Sequence, residues 1–368
     1  MKRILYITTV SRTINAFLIP HIEMLLENGY KVDCACAVDK ELDSRLLDKG
    51  VQIYNIPFCR NPLSIGNLKA FKKLIQIQKE NKYDIVHTHT PVASIYGRLL
   101  KVKFRKLKII YTAHGYHFFK GGSKIGWLLY YPIEKIMAKL TDVIININAE
   151  DYEITRTKLK PKKSCLVKGV GLDKNDYKKL SQEKIKEKKI AMGYKEEDFI
   201  VIMIAELNEN KNQIQLLKAI ELLKDKYSNI KALFVGEGDK LEELKVEAER
   251  RGIEKKIKFL GFRRDVNSLI NISDIGVLLS YREGLPRNIM ELMLNGKKVI
   301  ATDIRGCRDL VENDNVGNLV GVGDYEATAK AIERYYLSVD NINKVPEEIK
   351  AYDVKVIQAE LEEIYKTI

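Results

Sequence analysis

Short apolar runs recur along the first part of the chain, ILYITTV, YKVDCACAV, VQIYNIP, DIVHTHT, KIIYTAHG and DVIININ, separated by segments whose apolar residues return at helical spacing. Runs of this length between amphipathic segments read as strands of a parallel sheet joined by helical crossovers. From about residue 160 to 198 the alternation gives way to a Lys-rich charged stretch, then starts afresh with FIVIMIAE, IKALFVGEG, KIKFLGF, DIGVLLS, KKVIATD and NLVGV. The pattern predicts an α/β protein of two doubly wound, Rossmann-like domains in tandem, 1–165 and 166–345, facing one another across a cleft. Residues 346–368, which include VKVIQAELEEIYKTI, read as a C-terminal helix that packs back on the first domain. In open sheets ligands sit beyond the carboxyl ends of the strands, so two such domains suit an enzyme with two substrates.

A chain of 368 residues exceeds one ordinary core, which agrees with two domains. Its 45% hydrophobic and 31% charged content excludes a disordered chain, and no run approaches the ~18 apolar residues of a membrane-spanning helix. The opening MKRILYITTV has no small-residue cleavage site after it and reads as a first strand, which predicts a cytoplasmic protein. The five cysteines, Cys34, Cys36, Cys59, Cys165 and Cys307, are odd in number and lack a C-x-x-C pair. That spacing argues against both a disulfide framework and a structural zinc site. The charge is uneven: residues 1–165 hold 28 Lys and Arg against 14 Asp and Glu, and the remainder holds 35 against 36. A basic first half predicts an anionic partner there, whether nucleic acid, a lipid surface or a phosphorylated acceptor.

The segment YREGLPRNIMELMLNGKKVIATD sets Glu283 and Glu291 eight residues apart, with Pro286 suited to a first helical turn and Asn295-Gly296 to its end. At ~1.5 Å of rise per residue the carboxylates reach up to about 12 Å apart, comparable with the span from a nucleotide's ribose to its sugar. Gly284 and Leu285 then offer backbone N–H groups at a helix start, where a diphosphate is favoured. Lys211, in IAELNENKNQIQLLKAI, stands just before another helix and is a candidate cation for that diphosphate. Gly236 and Gly238 of VGEGDKLEEL permit a tight strand-to-helix turn, a signal that an ordinary structural turn explains equally well.

With its EGLP and VIATD surroundings, the E-x7-E motif at Glu283 and Glu291 resembles the retaining, GT-B-fold glycosyltransferases of family 4, particularly the capsule and exopolysaccharide branch. The resemblance covers nearly the whole chain. It implies that Glu283 meets donor-sugar hydroxyls and Glu291 the nucleotide ribose, with no bound catalytic metal and no cofactor beyond a nucleotide-sugar substrate, here a uridine diphosphate sugar. It also implies a sugar-positioning role for His114, which follows a strand in TAHGYHFFKGG. The family carries an Arg five residues before the lysine; that position here is Glu206, and Arg282 is the candidate substitute. In the first loop, TTVSRTINAF, Arg12 and Thr13 stand where a glycine-rich turn is common and are candidate acceptor or phosphate contacts. His87 and His89 share a strand face and read as structural.

LLKVKFRKLKII and SKIGWLLYYPIEKIMAKL combine Lys and Arg with Trp127, Tyr130 and Tyr131, as an interfacial surface would. The expected partners are a nucleotide sugar, a lipid-linked or polysaccharide acceptor, and the anionic inner face of the plasma membrane. Without an RNP-like motif, zinc finger or basic tail, nucleic acid is not expected. Two other readings use the same donor site: a sugar-nucleotide epimerase, which converts donor without acceptor, and a non-catalytic nucleotide-sugar binder.

Overall fold

The computed structural model describes residues 1–59, 61, 64–338 and 344–368. The chain divides into two compact units, one formed by Met1–Gly171 with Val354–Ile368 and the other by Leu172–Asp353.

The first unit holds a parallel seven-stranded sheet of β1 (Arg3–Val10), β2 (Lys31–Ala37), β3 (Ile53–Asn55), β4 (Ile85–His89), β5 (Lys108–Ala113), β6 (Val143–Asn146) and β7 (Lys163–Leu166), in the order β3-β2-β1-β4-β5-β6-β7. The central strands are buried on both faces, which is why they read as unbroken apolar runs. In β1, Ile4 and Tyr6 enter one core with the C-terminal helix Val354–Lys366, while Leu5 and Ile7 enter the core on the opposite face. That helix lays Ile357, Leu361, Ile364 and Tyr365 into the first core, and Gln358 Nε2 donates to the Pro20 carbonyl at 2.8 Å.

The second unit repeats the plan with six parallel strands, β8 (Phe199–Ile204), β9 (Ile230–Val235), β10 (Ile257–Phe259), β11 (Ile275–Leu278), β12 (Lys298–Thr302) and β13 (Gly317–Val320), in the order β10-β9-β8-β11-β12-β13. In both sheets the order reverses beside the first strand, between β1 and β4 and between β8 and β11. Loops that leave the carboxyl ends of those pairs border a natural crevice.

One stretch differs from the sequence expectation. The Lys-rich segment read as a break contains strand β7 and the helix Gln182–Ala191, and the units divide at 171/172 rather than 165/166. β7 is an edge strand with no fully buried residue, so its apolar signal is weak.

Candidate functional site

In the second unit, the loops after β8 and β11 meet at the switch point. Lys211 ends a short 3-10 turn, Glu209–Lys211, in which the Asn208 side chain accepts from the Lys211 N–H at 3.2 Å. Lys211 Nζ donates to Glu283 Oε1 at 2.5 Å, and Ser280 Oγ donates to the same oxygen at 2.6 Å. Both partners are largely sheltered, with 21% of the lysine side chain and 12% of the glutamate exposed. The loops are stitched together by main-chain contacts as well: Asn210 Nδ2 donates to the Arg282 carbonyl at 3.0 Å, and the Tyr281 N–H to the Asn210 carbonyl at 2.8 Å.

The helix after Glu283 runs Arg287–Leu294, with Pro286 as its N-cap rather than within its first turn. Its leading N–H groups lack intrahelical partners, as at any helix start. Glu291, on this helix, accepts from Tyr177 Oη at 2.8 Å and from Arg287 Nε at 3.1 Å. Burial and the Glu291 carboxylate both push the Tyr177 phenol up, so it stays a neutral donor.

Glycines bring these loops to backbone contact. A Cβ on Gly236 would lie 2.0 Å from the Ala205 carbonyl oxygen, and one on Gly238 would lie 2.1 Å from that of Leu207. The G-x-G therefore does more than turn: it lets the β9 loop lie against the main chain that leads to Lys211. Gly306, at φ 75°, does the same for the Glu283 loop, since its Cβ would meet the Gly284 carbonyl oxygen at 2.2 Å. Arg305 beside it is 3% exposed, and its Nε donates to the Glu283 carbonyl at 3.0 Å.

In the first unit, His114 directly follows β5 and its Nε2 lies 3.0 Å from His89 Nδ1. The row continues through the stacked face of the sheet: the His87 and His89 rings are 4.2 Å apart, and His87 bonds Tyr365 Oη at 2.5 Å and Thr112 Oγ1 at 2.8 Å. Tyr365 Oη lies 2.8 Å from Tyr6 Oη, so the C-terminal helix is tied into the row. Burial pushes His114 and His21 down to about 4, and His87 and His89 well below the ordinary value, so all four imidazoles are neutral near pH 7.

Beside His114 is a cavity of about 330 Å³ lined by Thr9, Thr13, Thr90, Tyr116, His117 and Tyr130 among others. Thr90 holds φ 65°, a conformation that a β-branched residue rarely adopts. It is fixed by Thr9, whose N–H donates to Thr90 Oγ1 at 3.0 Å and whose hydroxyl lies 2.7 Å away. Glu134 closes the cavity wall and is held bidentately by Arg98, at 2.7 and 3.0 Å.

The sequence-predicted residues thus fall into two groups. Glu283, Gly284, Leu285, Arg282, Lys211, Gly236 and Gly238 share the loops of the second unit, with Glu291 on the helix that follows, while His114 and Thr13 lie at the carboxyl end of the first sheet. Arg282 is exposed, and its carbonyl accepts from Asn210 Nδ2. Glu206 also points to solvent. Arg12 folds onto Asp39, with Nε donating to Oδ2 at 2.5 Å, while Thr13 reaches the cavity. Among the described residues no group of three or more His, Cys, Asp or Glu is arranged to hold a metal ion. Sequence reasoning missed Tyr177, Arg287, Gly306, Arg305 and Thr90. Only Arg287 carried a signal, its i,i+4 spacing from Glu291.

Comparison with known proteins fits this layout. The glycosyl transferase 4-like family matches residues 3–148, and the glycosyl transferases group 1 family matches residues 181–352. The chain is 36% identical over 353 residues to the putative glycosyltransferase EpsD of Bacillus subtilis, an alignment that covers 94% of this chain and 91% of the relative. It is 30% identical over 319 residues to the UDP-Gal:alpha-D-GlcNAc-diphosphoundecaprenol alpha-1,3-galactosyltransferase of Escherichia coli, covering 85% of this chain and 81% of the relative. The crystal structure of Anabaena Alr3699/HepE in complex with UDP and glucose superposes with a TM-score of 0.83 at 21% identity, covering 100% of both chains. The two parallel α/β units are those of the GT-B fold, and the chain belongs to the glycosyltransferases, with a glycosyl transferase 4-like first unit and a group 1 second unit.

Proposed function

We propose that this glycosyltransferase moves a sugar from a UDP-sugar to a lipid-linked or polysaccharide acceptor in cell-surface polysaccharide synthesis, with retention at the anomeric carbon and without a bound metal. The observation that carries the reading is the Lys211–Glu283 pair, with Glu283 in the loop that leads into the helix Arg287–Leu294 and Glu291 on that helix, in the unit that matches the group 1 family. The solved relative that binds UDP and glucose, and the curated relatives whose names specify UDP-Gal and diphosphoundecaprenol-linked acceptors, support the choice of donor and acceptor.

In this reading Glu291 accepts from the ribose hydroxyls, and Tyr177 and Arg287 hold its carboxylate in place. Glu283 accepts from hydroxyls of the donor sugar. Lys211 and the N–H groups around Gly284 and Leu285 take the diphosphate, and the close-packed Gly236–Gly238 loop lies beside it. Arg282 supplies a further cation in place of the family arginine. The bond between the anomeric carbon and the diphosphate oxygen breaks, the acceptor hydroxyl oxygen bonds that carbon from the same face, and its proton passes to the departing diphosphate. Lys211 stabilises the charge that develops there, the part a metal plays in other transferases. Neutral His114 positions the sugar, and Thr13 meets the acceptor at the cavity beside Thr90, while Arg12, held on Asp39, serves there only if it leaves that carboxylate. An acceptor anchored in lipid places the enzyme peripherally at the cytoplasmic face of the membrane.

A thermal-shift screen against nucleoside diphosphates and their sugars tests the donor class. A ligand at 100 times its Kd adds about 2.7 kcal/mol to the native state, so UDP or a UDP-sugar should raise Tm where GDP and ADP do not. No shift with any uridine nucleotide contradicts the reading. Conversion of donor to an isomeric sugar nucleotide without acceptor would instead mark an epimerase.

A further inference from the structure

The helix Lys124–Ala138 is apolar on two sides. Its inner side packs Trp127 and Tyr131 on Phe118, with ring centroids 5.3 and 5.6 Å apart, and stacks Tyr130 on His117 at 4.6 Å. Trp127 Nε1 donates to the Phe119 carbonyl at 3.1 Å. The aromatics that the sequence suggested as outward-facing are therefore turned inward. What faces water is aliphatic: Ile125 is 67% exposed, Leu128 75%, Leu129 55% and Ile136 59%. With exposed Pro132 these residues follow i, i+3, i+4, i+7 and i+11, a continuous stripe along one helix face. A stripe of this kind on a water-facing helix marks an interaction site.

Charge selects the partner. From Lys120 to Lys139 the exposed charged side chains are Lys120, Lys124, Lys135 and Lys139. The segment's one acid, Glu134, is buried against Arg98 and turned to the cavity. A second copy would oppose lysine to lysine across such a face, whereas an anionic bilayer offers an acyl layer for the stripe and negative head groups for its rim. The basic cluster Lys101, Lys103, Arg105 and Lys106 fits less well. Lys101 is spent on Asp142 at 2.7 Å, and the cluster sits at the amino end of β5, the opposite end of the sheet from Thr9, Thr90 and His114.

We propose that helix Lys124–Ala138 docks this chain on an anionic lipid bilayer, with Ile125, Leu128, Leu129 and Ile136 in the interface. The proposal deepens the lipid-linked acceptor reading and rests on it for its purpose. Because Tyr130, Ile133 and Glu134 of the same helix line the cavity, one element would hold the enzyme on the bilayer with one side and bound the acceptor cavity with the other.

The chain's single tryptophan lies on the inner side of this helix, so quenching of it by the bilayer would add support to docking. The test combines cosedimentation with phosphatidylglycerol/phosphatidylcholine vesicles at low salt and quenching of Trp127 by brominated acyl chains. The wild type should bind and be quenched. An Ile125→Ser, Leu128→Ser, Leu129→Ser variant should lose roughly tenfold or more of its partitioning, while a Lys103→Gln, Arg105→Gln, Lys106→Gln variant keeps most of it. Turnover of a water-soluble acceptor by the serine variant should match the wild type. Equal partitioning of the serine variant, no binding of the wild type, or a wild-type dimer that the serine variant dissolves would overturn the proposal, the last by showing a second copy on the face. Vesicle binding that follows the stripe, with no turnover of any acceptor, would support docking and remove the acceptor reading instead.

Discussion

Lys211 Nζ and Glu283 Oε1 lie 2.5 Å apart, so the two side chains expected to meet different parts of a donor are bonded to each other. The pair links the loop after β8 to the loop after β11. A substitution at either position therefore leaves a sheltered charge behind, and single changes overstate each residue's separate part.

That coupling gives a first prediction. Lys211→Ala and Glu283→Ala should each lower turnover strongly, and the double variant should fall well short of the summed losses. A double-mutant cycle on kcat/KM reads the difference as a coupling of about 1 kcal/mol or more. If Lys211 serves the leaving diphosphate as proposed, wild-type transfer should persist in EDTA; complete and reversible loss on chelation would point to a metal.

Tyr177 tests whether the carboxylate of Glu291 must be held in place. Tyr177→Phe removes one charge-assisted hydrogen bond and should weaken UDP binding by about tenfold, near the low end of the ~1.5–3 kcal/mol that such bonds contribute. Calorimetry measures it, and kcat at saturating donor should change little.

A third prediction concerns stability. Arg98 is fully buried and its guanidinium is paired with Glu134. Glu134→Ala should cost about 3–5 kcal/mol, because it strands the arginine in the core. Arg98→Met with Glu134→Leu should recover most of that loss, as read by chemical denaturation.

The histidine row predicts a pH dependence. Burial holds His21 and His114 down to about 4 and His87 and His89 lower still. Between the unfolded value near 6.5 and the folded values, the unfolded chain binds more protons. Stability is therefore full above about 6.5 and falls as pH drops through that window, by up to about 1.4 kcal/mol per pH unit for each such histidine. Denaturation midpoints at pH 7.5, 6 and 5 should fall in that order, and a flat profile would mean that the row is hydrated.

Much of the fold was legible because its central strands are buried on both faces, so Ile4 to Ile7 and Phe199 to Met203 read as unbroken apolar runs. β7 was not, since KSCL lies on an edge among lysines. The E-x7-E pair was visible as spacing, yet Tyr177, which holds one end of it, came from the charged stretch that looked like a linker. No periodicity links positions 177 and 291; only the folded chain brings them to 2.8 Å. Helix Lys124–Ala138 misled for a different reason. Both its faces are apolar, so the pattern fixed a helix without saying which side faces the core.

Titration calorimetry with UDP tests the proposal that Glu291, Glu283 and Lys211 form a site for a UDP-sugar. The wild type should bind UDP, and Glu291→Ala should weaken binding by roughly 10- to 150-fold, the range set by loss of one charged hydrogen bond. Glu283→Ala should retain most of the affinity for UDP while losing transfer. Undiminished UDP binding by Glu291→Ala, or no UDP binding by the wild type, would contradict it.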